Sequence, residues 1–443
     1  MRESSFALGS ILMKKFLAGV CVAAALLTAP LAHAADVVLP PFYQKVTQMK
    51  PSGPLGKVIA KEKITTSIPG AEAWRIAYIS SDMNERPTIS TGLVVAPKGK
   101  APKGGRPILA WSHGTTGTAQ TCGPSQVQDP AQDLNQYFLI GGTSWTDFGM
   151  PAANDFIKLG YVLVATDYQG LGGGGKHQYM ISPTQGRDLI NSIRAAGSMG
   201  LSGNNKKAVI YGWSQGGSSV IAAASMPAYI NQKKTVFDGI EIIGAVAMAP
   251  LDLAVVIPPN AANDDAAANK IMQELQTQFS SNPFNFAHMS MNFWVMPSVF
   301  PDLKLTDLYT SQGVQALDAI FSKKCMHVGA DTINFNMGDT YKSTINPQPI
   351  NARGWVKAMI AASNPPEKPV APVIVYWGDK DTTVPPVMSQ RYQKAKCAIG
   401  GNVQSVQLPG KDHFTNPPAA QPMFTQWIKD RFDGKPVANG CAS

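Results

Sequence analysis

The strongest constraint on this chain is a rhythm. Short apolar runs at residues 107–111, 161–166, 208–211, 240–248, 373–376 and 403–408 alternate with stretches that suit helices. The runs are largely apolar, so they expect burial on both faces, as a parallel strand does inside a sheet covered by helices. The expected fold class is α/β: a mostly parallel central sheet flanked by helices. Ligands in such sheets bind outside the carboxyl ends of the strands, so those ends are where chemistry is sought. Two earlier segments, residues 73–80 and 89–95, alternate instead. They flank the turn-like Asp82-Met83-Asn84-Glu85-Arg86-Pro87 and read as an antiparallel hairpin. Residues 36–60 are proline-rich and irregular, which suits a segment wrapped over the surface.

The rhythm stops between Ala249 and Pro369. That stretch is rich in Met, Phe and Asn, above all at residues 282–294, and holds a helix-like run at residues 313–321. A patch of this kind reads as the core of a small subdomain or as a cap whose apolar inner face lines a substrate pocket, and the two overlap. The domain organisation expected is an upstream extension plus leader at residues 1–34, a core at residues 35–251 and 369–443, and a helical cap insertion at residues 252–368. With 44% hydrophobic and 15% charged residues in 443, such a chain buries a large core easily.

One strand end carries a chemical signal. The run ending at Tyr211 continues into Gly212-Trp213-Ser214-Gln215-Gly216, followed by small residues that suit a helix. A strand that turns sharply into a helix at Gly-x-Ser-x-Gly leaves the serine exposed at the apex, and the glycines allow backbones to approach where a Cβ would collide. Short matches of this kind also arise by chance, as a glycine-rich turn that contains a serine. A serine nucleophile needs a base, and the base needs an acid to orient it. After residues 373–376 comes Gly378-Asp379-Lys380-Asp381-Thr382-Thr383-Val384-Pro385, where Asp381 has the spacing of an orienting acid and Asp379 suits a loop cap. Asp252 is a more distant candidate. After residues 403–408 comes Asp412-His413-Phe414, then a helix-like run at residues 418–432, so His413 fits the base. Three positions in the order Ser, Asp, His at successive strand ends fit jointly, which weighs more than any single motif.

The remaining histidines carry less. His33 falls in the leader, and His288 and His327 sit in the insertion, where packing or solvation explains them. His113, in Ser112-His113-Gly114, resembles the His-Gly loops that shape an oxyanion site. His177 ends Gly170-Leu171-Gly172-Gly173-Gly174-Gly175-Lys176-His177, which matches Gly-x-Gly-x-x-Gly but puts a histidine where a P-loop needs a hydroxyl for Mg²⁺. That run reads as a flexible loop beside the active site. No His-Glu-x-x-His or carboxylate cluster suggests a metal, and no cofactor is expected.

The N-terminus reads as an export signal: Met13-Lys14-Lys15, an apolar run from Phe16 to Leu27, and Ala32-His33-Ala34 as a cleavage site, with Met13 as the start. The apolar run is short for a membrane span, and Cys21 lacks a small residue before it for a lipoprotein site. The address is secreted or periplasmic. The formal charge is +9, but the lysines stand singly or in pairs, so nucleic-acid binding is not expected. Beyond Cys21 the chain has Cys122, Cys325, Cys397 and Cys441, an even count that in an exported protein argues for two disulfides, with three pairings open.

Together these motifs resemble the secretory lipase family of the α/β-hydrolase fold, the lipase A-type enzymes of yeasts and bacteria. The likeness runs from Pro41-Phe42-Tyr43 to Cys441. It includes Gly160-Tyr161-Val162-Leu163-Val164-Ala165-Thr166-Asp167-Tyr168-Gln169-Gly170, the Ser214 elbow, the Asp381 loop, Asp412-His413 and Trp427-Ile428-Lys429-Asp430-Arg431-Phe432. The resemblance implies a triad of Ser214, Asp381 and His413, and an oxyanion hole from the backbone N–H groups of Gln215 and the Asp167 position. It also implies a helical cap, and disulfides Cys122–Cys325 and Cys397–Cys441. The implied activity is cleavage of acyl esters such as acylglycerols through an acyl-enzyme, with an ester or lipid substrate and contact with a lipid interface. The yeast pattern continues into a C-terminal flap where this chain stops at Ser443, so a more open, esterase-like site is the expectation. An acyltransferase or a serine peptidase would use the same three residues. A non-catalytic binding protein on this fold would normally lack one of them. The residues specify no oligomeric state.

Overall fold

The structure, a computed structural model, describes residues 38–133 and 149–442. The leader read at residues 1–34, with Cys21 and His33, lies outside them. Nine strands among the described residues form one sheet. In chain order they are β1 Val58–Ile64, β2 Ala71–Ser81, β3 Pro87–Pro97, β4 Ile108–Ser112, β5 Val162–Gln169, β6 Lys207–Trp213, β7 Glu241–Met248, β8 Val373–Gly378 and β9 Val403–Leu408. In space they run β1-β2-β3-β5-β4-β6-β7-β8-β9. The first three and β5 pair antiparallel, and β5, β4, β6, β7, β8 and β9 pair parallel throughout. This is the mostly parallel sheet that the apolar runs require.

Both faces are covered, and the two-residue period of a strand divides the side chains between them. Leu109, Trp111, Val209, Tyr211, Val246 and Met248 pack with Phe424 and Ile428 of helix Asn416–Phe432. Their neighbours Ile108, Ala110, Ala208, Ile210, Ala245 and Ala247 pack with Leu189 and Ile193 of helix Ser182–Ser198 and Val220 and Ile221 of helix Gln215–Ala224. The fold is that of the α/β-hydrolases.

The N-terminal segment is more regular than its sequence suggests. Residues read as an irregular wrapper contain helix Pro41–Thr47 and the start of edge strand β1. Lys61, Glu62 and Lys63 are exposed on β1, charges that protect a sheet edge and erase the apolar signature of a strand.

Between β7 and β8 the chain forms helices Asp265–Phe279, Pro283–Val295, Ser311–Phe321, Met326–Thr332 and Ala352–Ala362. The polar residues before them act as caps: Asp264, Asn282 and Thr310 accept from the backbone N–H groups of Ala267, Asn285 and Gly313. These helices carry a hydrophobic cluster of their own around Phe286, Met291, Trp294, Leu317, Phe321 and Trp355. Cys122 is bonded to Cys325, tying the loop after β4 to this insertion, and Cys397 is bonded to Cys441, tying the C-terminal tail to helix Pro386–Ala398.

Candidate active site

The sheet's carboxyl end converges on Ser214. Strand β6 stops at Trp213, helix Gln215–Ala224 starts at once, and the single residue between them takes φ 57° and ψ −119°. A serine holds this strained backbone because its surroundings fix it. Its N–H donates to the carbonyl of Met248 on β7 at 2.9 Å. The flanking glycines are steric necessities: a Cβ on Gly216 would lie 1.8 Å from the carbonyl oxygen of Ser112, and one on Gly212 would lie 2.5 Å from the carbonyl oxygen of Gly216. The elbow is wedged against β4, and its serine has only the apex to occupy.

Asp381 and His413 meet it from the loops after β8 and β9, beyond the intervening β7. His413 Nε2 lies 2.9 Å from Ser214 Oγ, and His413 Nδ1 lies 2.8 Å from Asp381 Oδ2. The chemistry sets the tautomer: a carboxylate can only accept, so Nδ1 carries the proton and Nε2 offers a lone pair to the serine hydroxyl. Asp381 is itself held. Its Oδ1 accepts from the N–H groups of Thr383 at 2.9 Å and Val384 at 2.8 Å, which leaves Oδ2 for the histidine. Trp213 Nε1 donates to the His413 carbonyl at 3.1 Å, anchoring the loop that carries the base to the strand that carries the serine. All three side chains are buried.

The competitors lie elsewhere. Asp379 accepts from the Gly410 N–H at 2.7 Å and braces the loop after β9. Asp252 is buried near Lys396, and burial raises its carboxyl to about 6. His177 donates from Nδ1 to the Gln169 carbonyl at 2.7 Å, and its Nε2 accepts from Gln215 Nε2 at 3.2 Å. Burial holds the His177 imidazole down at about 3, so it is a neutral brace beneath the elbow. His113 is also buried and lowered to about 4, with Nδ1 against the Gly114 carbonyl at 2.6 Å. The glycine-rich loop is tied down at Gly172 and Gly174, whose N–H groups donate to Gln120 Oε1.

Gln215 begins the helix, so its backbone N–H belongs to the first-turn donors that an α-helix leaves unpaired. Asp167 is the extra residue of a bulge. The β3 ladder passes from Thr166 to Tyr168 and skips it, and Tyr168 takes φ 69°. The Asp167 carboxyl accepts from Ser125 N at 3.0 Å, from Thr91 Oγ1 at 2.8 Å and from Ser125 Oγ, and burial raises it to about 6.

Above Ser214 and Gln215 opens a cavity walled largely by the inserted helices. Leu251, Leu253, Leu275, Phe279, Phe293 and Met359 make most of it apolar, and His288 stands among them. The sequence reading missed His288, because nothing in a lone histidine on a Met- and Phe-rich helix says which face it takes. Among the described residues no cluster of three or more His, Cys, Asp or Glu could hold a metal.

Comparison with known proteins agrees with this architecture. The secretory lipase family model matches residues 142–257 and 304–440. Lipase 9 of Candida albicans is 23% identical over 92% of this chain and 86% of its own length. A secreted triacylglycerol lipase of Malassezia globosa is 24% identical over 90% of this chain and 83% of its own. Among solved structures, Candida antarctica lipase A superposes with a TM-score of 0.64 at 17% identity, covering 91% of this chain and 88% of the other. The rice cell wall degrading esterase LipA of Xanthomonas oryzae superposes with a TM-score of 0.61 at 17% identity, covering 85% and 98%.

Proposed function

The chain belongs to the secretory lipase family, and from that premise we propose that it is a secreted serine carboxylic-ester hydrolase that cleaves acyl esters such as acylglycerols. The observation that carries this reading is the unbroken relay from Ser214 Oγ through His413 to Asp381, with contacts of 2.9 and 2.8 Å. His413 takes the Ser214 proton as Oγ attacks the ester carbonyl, then returns it to the leaving alcohol. Asp381 holds the imidazole tautomer and stabilises its cation. Water cleaves the acyl-enzyme by the same steps in reverse order of partners.

The backbone N–H groups of Gln215 and Asp167 stabilise the oxyanion in this proposal; losing one such donor costs about 10²–10³ in rate. What supports this is that Gln215 follows Ser214 and lines the cavity with it, and that the bulge takes Asp167 out of the β3 ladder. Residues 252–368 act as a cap on the core, their apolar wall meeting the lipid part of the substrate, and residues 1–34 direct export. Ser214→Ala tests the assignment: turnover of a p-nitrophenyl ester is expected to vanish with the melting temperature unchanged. Retained turnover would overturn it.

A further inference from the structure

Helix Pro283–Val295 turns one face to the cavity. Asn285, His288, Met289, Asn292 and Phe293 line it, at the three- and four-residue spacing of a single helical face. A wall built for hydrocarbon alone would be apolar at all five positions. Instead Asn285, His288 and Asn292 make a polar stripe beside Met289 and Phe293.

His288 gives that stripe a definite polarity. Its Nδ1 lies 2.9 Å from the Phe284 carbonyl, which can only accept, so Nδ1 holds the proton and Nε2 is a bare lone pair. Burial, then the nearby His413 and His327, hold the imidazole down at about 4, so it stays a neutral acceptor at physiological pH. Among the described residues none donates to Nε2, and it is not one of the polar atoms sealed from solvent without a partner. The His288 residue itself lines the cavity. Asn292 adds a second acceptor, because its Nδ2 is engaged by the Tyr179 carbonyl at 3.1 Å and its Oδ1 is left over.

The stripe also has a side. The His413 ring packs on Phe414 at 5.5 Å, Phe414 on Phe284 at 6.3 Å, and Phe284 on His288 at 4.5 Å. These rings link His288 to the His413 side of the site. A histidine base returns its proton to the leaving alcohol, so the alcohol half of an ester lies toward that histidine.

We infer that the alcohol half of the substrate carries a free hydroxyl that donates to His288 Nε2, making partial glycerides and other polyol esters the preferred class over esters of plain alkanols. This rests on the ester-hydrolase reading and narrows it. An alkyl group at the same place would strand a desolvated acceptor, which corresponds to about ten- to a hundredfold in kcat/KM.

The test is a ratio of kcat/KM values for hydroxyethyl butyrate and propyl butyrate, which differ by a hydroxyl in place of a methyl. It is measured in the wild type, His288→Leu and His288→Gln. Intrinsic reactivity cancels when the ratios are compared. The ratio is expected to fall tenfold or more in His288→Leu and to be largely kept in His288→Gln, which retains an acceptor. Where the leucine variant does not fold, His288→Met fills the same space beside Met289. An unchanged ratio in the apolar variant overturns the inference. A change confined to a matched pair with the hydroxyl on the acyl chain overturns the assignment to the alcohol half. Absence of turnover of both esters by the wild type would instead overturn the hydrolase reading, so the two failures are distinguishable.

Discussion

Replacing Asp381 with asparagine isolates the tautomer argument from the fold, because the side chain keeps its shape. The structure sets the size of the effect. Asp381 Oδ1 accepts from two backbone N–H groups, Thr383 and Val384, and Oδ2 accepts from His413. An asparagine that keeps its oxygen toward the two N–H groups points its amide N–H₂ at His413 Nδ1. The imidazole must then shift its proton to Nε2, where it faces Ser214 and cannot act as a base. The opposite amide orientation restores the active tautomer but strands two buried donors against an N–H₂ group, at about 1–3 kcal/mol each. The active orientation is therefore disfavoured by about 2–6 kcal/mol, which at about 1.36 kcal/mol per decade is a loss of roughly 10²–10⁴ in kcat. Asp-to-Asn replacement in serine-histidine-aspartate triads, at about 10⁴, sits at the top of that range. The assay is kcat on p-nitrophenyl butyrate beside a thermal melt. A loss under tenfold in a folded variant would refute the reasoning.

Other predictions concern the scaffold. Gly216→Ala places a Cβ 1.8 Å from the Ser112 carbonyl oxygen, so it should cost at least about 1–3 kcal/mol in chemical denaturation and, by shifting Ser214, about 10²-fold or more in kcat. Burial raises Asp188 to about 6 from 3.8, so its stabilising contribution is greatest below pH 4 and is lost as pH rises through 6. Wild type should therefore gain about 2–3 kcal/mol relative to Asp188→Asn between pH 7 and pH 4, read from urea unfolding; a flat difference would contradict the assignment. Cys122–Cys325 spans 203 positions and Cys397–Cys441 spans 44, so removing each pair should cost about 5 and about 4 kcal/mol by loop entropy. Thiol titration of unreduced protein should find none of these four cysteines free.

Much of the architecture was legible because it rests on local rules. Strands β4 to β8 sit within a few residues of the apolar runs, since burial on both faces leaves few polar positions to blur them. Edge strand β9 was legible from Val403, Val406 and Leu408 despite Gln404, Ser405 and Gln407 between them. The Ser214, Asp381 and His413 positions were legible because each follows a strand end, and the sheet brings those ends together. What escaped was set by tertiary context. Strand β1 was missed because Lys61, Glu62 and Lys63 face solvent at a sheet edge. The Met- and Phe-rich run at residues 282–294 offered two readings, a packed core or a pocket wall. Helix Pro283–Val295 serves both, with Phe286 and Trp294 in the insertion's cluster and His288 and Asn292 on the cavity. Which face a residue takes depends on how that helix is docked, and no spacing in the chain encodes it. His177 was read as part of a flexible loop, whereas its Nε2 partner is Gln215, a contact between residues 38 positions apart.

The central claim is that Ser214 becomes the acylated nucleophile. Its most direct test is reaction of the intact protein with a p-nitrophenyl alkylphosphonate, followed by peptide mass mapping. The account predicts one adduct per chain on Ser214, matched by one equivalent of released nitrophenol, with none in Ser214→Ala. Full esterase activity with Ser214 unmodified, or an adduct on another residue, would contradict it.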